Sequence, residues 1–433
     1  MTIPSSWPCD ARDCEEPSEA ALALLAQRAQ AFRITHDHRD LWPGVDAGAI
    51  RTAADHIGNA VAAVLAGSRT QLSADANAAE AFSIAAHVTG VGPLLGHWCE
   101  RNALEADEVT RAVLALHLRH ARMRVERVSA SVRSLVDALA DHAISPGILK
   151  GFHTAHCYFP EPGTRSFADV DLVVDPTELA RAIDVLRAQG YVEGDGYDAP
   201  YKRVWRPPGE DSRVRSFTFW HARSGWIIEL HSGALFEHLR GHSVRLDALG
   251  ELNATWDFHG TSLRVASQPQ LVALLATHAS GELYASRLLR LVELVLVIRK
   301  DRASDRLDWP AVTELLRSAN ALRFAYPAFT LAEQLVPGTI DAATLEATAK
   351  ASTARTRAFV AGFTPTSPLL RGTVSVAQLL MWTTNPWQVL TRLWAMIAPV
   401  GAESSESPLT VYRSRARRFC VAILRRSVPG RAP

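Results

Sequence analysis

Lysine is nearly absent from this chain: of its 46 basic residues four are lysines, Lys150, Lys202, Lys300 and Lys350, and 42 are arginines. Such a bias reflects a GC-rich genome more than a function, so where the four lysines sit matters more than how few they are. Cysteine is scarce too, with Cys9, Cys14, Cys99, Cys157 and Cys420 widely scattered, which excludes a disulfide framework and fits a reducing cytoplasm. Charge of one sign is lacking: the 46 basic residues face 45 acidic ones, a formal net charge of +1. That excludes a surface built throughout for nucleic acid. Long apolar runs are missing as well, since the most apolar stretch, Leu288 to Ile298, has 11 residues and carries Arg290 and Glu293. It is too short and too charged to span a bilayer. Met1 to Glu16 shows no basic start followed by an apolar core, so no secretory signal is expected.

What is present is 433 residues, 48% hydrophobic and 21% charged, material for two or three domains and neither a stapled miniprotein nor a disordered chain. From Ser18 to about His142 apolar residues recur at spacings of three and four, as in Val109, Val113, Leu114, Leu116 and Leu118, the helical period. Asp107 to His142 lacks proline and glycine, and Pro146-Gly147 then punctuates the chain before Ile148-Leu149. From Pro146 to about Leu246 strands and helices alternate. Phe167 to Val174 reads as a strand, Asp175-Pro176-Thr177-Glu178 as a capped helix start, and Gly190 as that helix's end. Val214 to Trp220 and Trp226 to His231 read as a hairpin around Gly225. The helical period returns after Ser267, and Thr364 to Pro368 is a linker to a tail bearing Trp382, Trp387 and Trp394. The expected architecture is α+β: a helical region 1–145, a small mixed-sheet core 146–265, a helical domain 266–363 and a helical tail 364–433.

The residues that point to chemistry lie in the core: Leu149-Lys150-Gly151-Phe152, Arg165, Asp169-Val170-Asp171-Leu172-Val173-Val174 and Glu229-Leu230-His231. Residues two apart on a strand share a face, so Asp169 and Asp171 present two carboxylates together while Leu172 and Val174 point inward. Two such carboxylates repel unless cations sit between them, and an oxygen-rich pair suits Mg²⁺ or Mn²⁺. Glu229 lies in an apolar strand, where an unpaired carboxylate is costly. If that strand lies beside Asp169 to Val174, the three carboxylates form the metal site that phosphoryl or nucleotidyl transfer needs. The Lys150-Gly151 turn opens a helix, and its glycine lets backbone amides approach phosphate oxygens. Arg165 either serves the nucleotide or neutralises Asp169 as an ion-pair partner. His278, in an apolar helix, either closes a nucleotide cleft or is a hydrogen-bonded core histidine. His231 is expected to support the site from beside the sheet.

At these residues the sequence resembles the uncharacterised bacterial nucleotidyltransferases of the polymerase-beta-like superfamily. The resemblance runs from about Val91 to Ala332, with its motifs between Pro146 and His231, and takes in His278, the Arg287 to Glu293 segment and Asp308-Trp309 downstream. It implies transfer of a nucleoside monophosphate from a nucleoside triphosphate to an acceptor, with pyrophosphate released. It further implies Asp169 and Asp171 as metal ligands, Glu229 as the carboxylate that orients or deprotonates the acceptor, and Lys150 and Gly151 at the triphosphate. Phe152 after Gly151 departs from the superfamily's Gly-Ser or Gly-Gly, which shifts phosphate contact to backbone amides and Lys150. Ser232 stands where relatives often carry an aromatic residue.

Other clusters read more plainly. His153 and His156 are expected to cover the sheet or face solvent, and His36-Asp37-His38 to be a solvated segment, because neither has further ligands at metal spacing. Cys9 and Cys14 are a stray pair. Leu409, Tyr412, Phe419, Ile423 and Leu424 follow helical spacing, with Arg413, Arg415, Arg417, Arg418, Arg425 and Arg426 between them. That basic amphipathic helix would dock on the protein body, grip a phosphate-rich acceptor, or lie on an anionic membrane. The expected protein is a cytoplasmic, Mg²⁺-dependent nucleotidyltransferase using a nucleoside triphosphate and a small-molecule or peptide acceptor. The alternatives are a non-catalytic nucleotide- or partner-binding protein on the same fold, or a member of a biosynthetic complex peripheral to the inner membrane.

Overall fold

The computed structural model describes residues 16–35, 37–74, 78–194, 202–232, 235–238, 242–245, 249, 252–281, 283, 288–367, 380–383 and 385–397. The N-terminal periodicity becomes five helices: α1 (Glu19–Thr35), α2 (Ala47–Leu65), α3 (Ala79–Thr89), α4 (Gly92–Glu100) and α5 (Glu108–Asp141). α5 runs for 34 residues because nothing inside it breaks a helix, and Asp107 starts it by accepting a 2.8 Å bond from the Thr110 amide.

Seven strands form one mixed sheet: β1 (Gly147–Ile148), β2 (Asp169–Val174), β3 (Val192–Glu193), β4 (Lys202–Arg206), β5 (Ile227–Ser232), β6 (Ala254–Phe258) and β7 (Thr261–Val265). Their order across the sheet is β6-β7-β1-β2-β5-β4-β3. β2 and β5 pair in parallel, and β1 and β4 flank them antiparallel. Val170, Leu172, Val174, Ile228 and Leu230 are at most 1% exposed and share a core with Val132 of α5. A slip of one residue would drive carboxylates into that core, so the burial pattern fixes the register.

The short α6 (Phe152–Cys157) follows β1, and α7 (Leu179–Ala188) follows β2. His153 and His156 of α6 lie against the Trp256 ring of β6, covering the sheet. The helices α8 (Gln270–Gly281), α9 (Leu288–Ala303), α10 (Trp309–Ser318), α11 (Leu322–Leu335), α12 (Ala342–Ala351), α13 (Ala354–Ala361) and α14 (Pro386–Ile397) complete the chain. The fold is thus α+β, with 14 α-helices among the described residues.

Two local expectations are corrected. Residues 214–220 form no strand, and β5's antiparallel neighbour is β4. The Phe217 and Thr218 carbonyls accept from Trp42 Nε1 and Ser83 Oγ of the N-terminal helical region, while Ser216 Oγ takes the Thr218 and Phe219 amides. Side chains thereby satisfy backbone groups that a strand would have paired. The second correction concerns α7, which begins at Leu179 rather than at Pro176. Asp175 accepts from Thr177 N and Thr177 Oγ1, closing a turn ahead of the helix instead of capping it.

The chain divides into two compact units, Met1–Ser352 with Val360–Thr373, and Thr353–Phe359 with Val374–Pro433. In the second, Thr356 Oγ1 donates to the Met381 carbonyl at 2.6 Å, and Trp382 is buried while Trp387 is 72% exposed. The basic segment from Leu409 onward, and Cys9 and Cys14, lie outside the described residues. Among the described residues no helix is long and apolar enough to cross a membrane.

Candidate active site

Strand alternation and parallel register build the site. Asp171 lies directly across from Glu229, and Val173 across from His231, so Asp169, Asp171, Glu229 and His231 share one face. The antiparallel β4 sets Lys202 across from His231 on that same face. Oxygens of Asp171 and Glu229 and a ring nitrogen of His231 lie within 4.8 Å of one another.

Lysines hold two of the three carboxylates. Lys150 Nζ donates to Asp171 Oδ2 at 2.5 Å, and Lys202 Nζ donates to Glu229 Oε1 at 2.8 Å. His231 Nε2 lies 3.2 Å from Asp171 Oδ1 and 3.8 Å from Glu229 Oε2. A carboxylate only accepts, so this contact needs the proton on Nε2, which leaves Nδ1 buried without a partner. Asp169 makes no hydrogen bond or ion pair among the described residues; its charge is felt by Lys150, Glu229 and Arg124.

The electrostatics separate the two neighbouring carboxyls. Burial pushes Asp171 up, but the Lys150 charge and the His231 hydrogen bond outweigh it and hold the carboxyl well below the usual range. Glu229 moves the other way: burial and then the charges of Asp171 and Asp169 raise it, against the pull of Lys202. Burial lowers the Lys150 ammonium, yet Asp171 and Asp169 more than offset this and its pKa ends raised. One carboxyl therefore stays ionised while the next is the easier one to protonate.

The turn that delivers Lys150 needs its glycine. Gly151 has φ +55° ahead of α6, a left-handed value that L residues adopt with strain. Beside it lies the Arg165 guanidinium, 3.5 Å from where a Gly151 Cβ would be. Arg165 is not the partner of Asp169. It grips Glu293 of α9 with Nε to Oε1 at 3.0 Å and Nη2 to Oε2 at 2.8 Å, and the Thr154 hydroxyl of α6 donates to the same carboxylate. The fork geometry matches a carboxylate at two points, so the loop before β2 and α6 are both tied to α9.

These features were set against known proteins. The family described as "Uncharacterised nucleotidyltransferase" matches residues 75–337, more than half of the chain. The chain belongs to that family. No curated protein and no solved structure matches it. The span covers the whole carboxylate face, the Lys150-Gly151 turn and the Arg165–Glu293 pair.

Within this family member, the candidate residues divide. Lys150, Asp171, Glu229 and His231 converge, and Asp169 stands one same-face position away, across from Ile227. His278 of α8 reaches the surroundings through Arg290, whose Nη1 lies 2.6 Å from His278 Nδ1 and whose charge acts on Lys150. Three residues were given no role from the motifs, although Glu293 closes the Arg287 to Glu293 segment of the resemblance. Lys202 had a signal, as one of four lysines in an arginine-rich chain. Glu293 had the same signal as Glu229, a lone carboxylate in an apolar segment. Arg124 of α5, only 4% exposed, had none, because a single arginine on a long helix reads as surface. Of the His36-Asp37-His38 segment, His36 lies outside the described residues, while Asp37 and His38 are partly exposed and Asp37 pairs with Arg39 and caps a short turn.

The donor chemistry fits a hard divalent cation. Asp169, Asp171 and Glu229 offer carboxylate oxygens, the ligands that Mg²⁺ and Mn²⁺ take; of these, Asp171 and Glu229 lie together with His231 within 4.8 Å. Lys150 and Lys202 now stand where such a cation would compensate charge.

Proposed function

We propose that the protein transfers a nucleoside monophosphate from a nucleoside triphosphate to a hydroxyl or phosphate of a small-molecule or peptide acceptor, with Mg²⁺ or Mn²⁺ held by Asp169, Asp171 and Glu229. The observation that carries this is the register of β2 and β5, which sets Asp171 beside Glu229 on one face, with Asp169 next along. The acceptor oxygen attacks the α-phosphorus; the bond from that phosphorus to the bridging oxygen breaks, and pyrophosphate leaves with the electron pair. A divalent cation in the site supplies charge stabilisation and eases loss of the acceptor proton. Glu229 orients the acceptor or takes that proton. Lys150, at the Gly151 turn, exchanges Asp171 for triphosphate oxygens, a role that suits a flexible point charge. His231 holds Asp171 in its rotamer, and Arg165, fixed by Glu293, shapes the wall beside Gly151. His278 acts on the nucleotide cleft through Arg290. The test is label transfer from α-labelled triphosphates, with Asp169→Asn and Asp171→Asn as controls; equal labelling by parent and variants contradicts the proposal.

A second reading, a nucleotide-binding protein without turnover, is favoured by the two lysine–carboxylate pairs, in which ammonium groups rather than a metal ion compensate Asp171 and Glu229. Calorimetry with triphosphate and Mg²⁺ separates them: metal-dependent binding without product across a broad acceptor panel supports this second reading.

A further inference from the structure

The near-neutral net charge hides two compact units of opposite sign. Thr353–Phe359 with Val374–Pro433 carries ten arginines, no lysine or histidine, and Glu403 and Glu406 as its only acids. Its formal net charge is therefore +8, which leaves −7 for the first unit of a chain at +1. Seven of those arginines fall between residues 407 and 433, a stretch without a single acid. Charges farther apart than about 8 Å are largely screened at physiological salt, so an anionic surface that meets the second unit responds to that unit's own charge.

The same unit leaves apolar surface in water. Asn385 starts α14 by accepting a 2.9 Å bond from the Gln388 amide, and Pro386 takes the first helical position. In sequence, the large apolar residues of α14, from Trp387 through Leu390 to Ile397, fall on one half of the helical wheel, and Gln388, Thr391 and Arg392 fall on the other. Trp387 is 72% exposed and Leu390 58%. Seven large apolar side chains are exposed among the described residues, and these two are the only pair within one helical turn of each other. An apolar helix face and a run of arginines thus belong to one unit, and the proposed chemistry uses neither.

We infer that this unit attaches the protein to an anionic lipid surface: α14 lies in the headgroup boundary with Trp387 and Leu390 in the apolar layer, and the arginines from Arg413 onward meet lipid phosphates. A tryptophan ring suits that boundary, and an amphipathic helix joined to a polybasic stretch holds a membrane where either alone binds weakly and reversibly. Nucleic acid would use the arginines and leave Leu390 in water. A second copy would cover the face but set +8 against +8. The inference is independent of the nucleotidyl-transfer reading. In the test, the full chain is sedimented with vesicles of phosphatidylcholine, with and without phosphatidylglycerol. The expected result is binding at least about tenfold tighter to the anionic vesicles, most of it lost in high salt. Trp387→Ser with Leu390→Ser weakens it at least about tenfold, at an unchanged melting temperature because both side chains are exposed. Arg413→Gln, Arg415→Gln, Arg417→Gln and Arg418→Gln together weaken it at least about tenfold as well. Failure of the parent to bind anionic vesicles, equal binding to neutral ones, or parent-like binding by either set of variants overturns the inference. So does a parent dimer that Leu390→Ser dissolves, which gives the face to a second copy, and so does polyuridylate bound tighter than the vesicles, which gives the arginines to nucleic acid.

Discussion

Two buried ion pairs adjoin Gly151, and they are built differently. Arg165 and Glu293 meet at two points, with side chains 10% and 3% exposed, and Thr154 adds a third bond. Lys150 and Asp171 meet at one point, 9% and 4% exposed. Burial is equal, so desolvation does not separate them; geometry does. A guanidinium fork locks three segments together, whereas a single ammonium contact is made and released without rearranging a plane. A chain that turns nearly every basic position into arginine has kept lysine at two of the three carboxylates of the face, Asp171 and Glu229. Its other lysines do local work, Lys300 on the Cys157 carbonyl and Lys350 on Glu346.

The comparison breaks most visibly if the locked pair proves dispensable. Glu293→Gln keeps the shape and removes the charge, so Arg165 is left buried without compensation. The expected loss is about 3–5 kcal/mol in urea unfolding, with no recovery on adding Mg²⁺. Lys150→Met leaves Asp171 only its His231 contact, and about 2–3 kcal/mol should be lost in chelator. On the proposed reading millimolar Mg²⁺ restores much of that loss, because a cation replaces the ammonium; thermal melts with and without metal show it. Equal behaviour of the two variants toward Mg²⁺ would erase the distinction drawn above.

Lys150→Arg sharpens it further. The charge is kept, so the melting temperature should stay close to the parent's, while triphosphate use falls roughly tenfold because a planar fork replaces a compact ammonium. Steady-state kinetics at varied triphosphate reads this.

The smallest effect concerns pH. Glu229 has a raised folded pKa, so it favours folding below its unfolded value near about 4.3, and that contribution is lost as pH rises through the folded value. Asp171 has the opposite sign: its contribution is present above about 4 and fades only in stronger acid. Between about pH 4.3 and the folded pKa of Glu229, Glu229→Gln should remove a shallow loss of stability with rising pH, measured by urea midpoints. An unchanged slope would show that Glu229 is not the raised group.

How much of this was legible in the sequence follows from how local each feature is. Val170, Leu172 and Val174 alternate with Asp169 and Asp171, so the face of β2 could be read directly, and Gly151 marked its own turn. Asp171 opposite Glu229 was a conditional expectation, because register joins strands 58 residues apart in the chain. Strand pairing also misled. Val214 to Trp220 alternates Ser216 and Thr218 with Phe217 and Phe219 and looks like a strand, but Trp42 and Ser83 take its carbonyls. Lys202 was overlooked because its strand, β4, was not recognised. Arg165 was expected at the nucleotide or at Asp169, four residues on, yet Glu293, 128 residues on, offers a carboxylate already buried and in need of a cation.

The most direct measurement counts both products at once: pyrophosphate released and α-label captured by a pool of small-molecule and peptide acceptors, with Mg²⁺ and the full chain. The account predicts the two in equal amounts for the parent, and a fall of at least about 100-fold for Asp171→Asn in a protein that still folds. Inorganic phosphate in place of pyrophosphate, or undiminished label capture by Asp171→Asn, would contradict it.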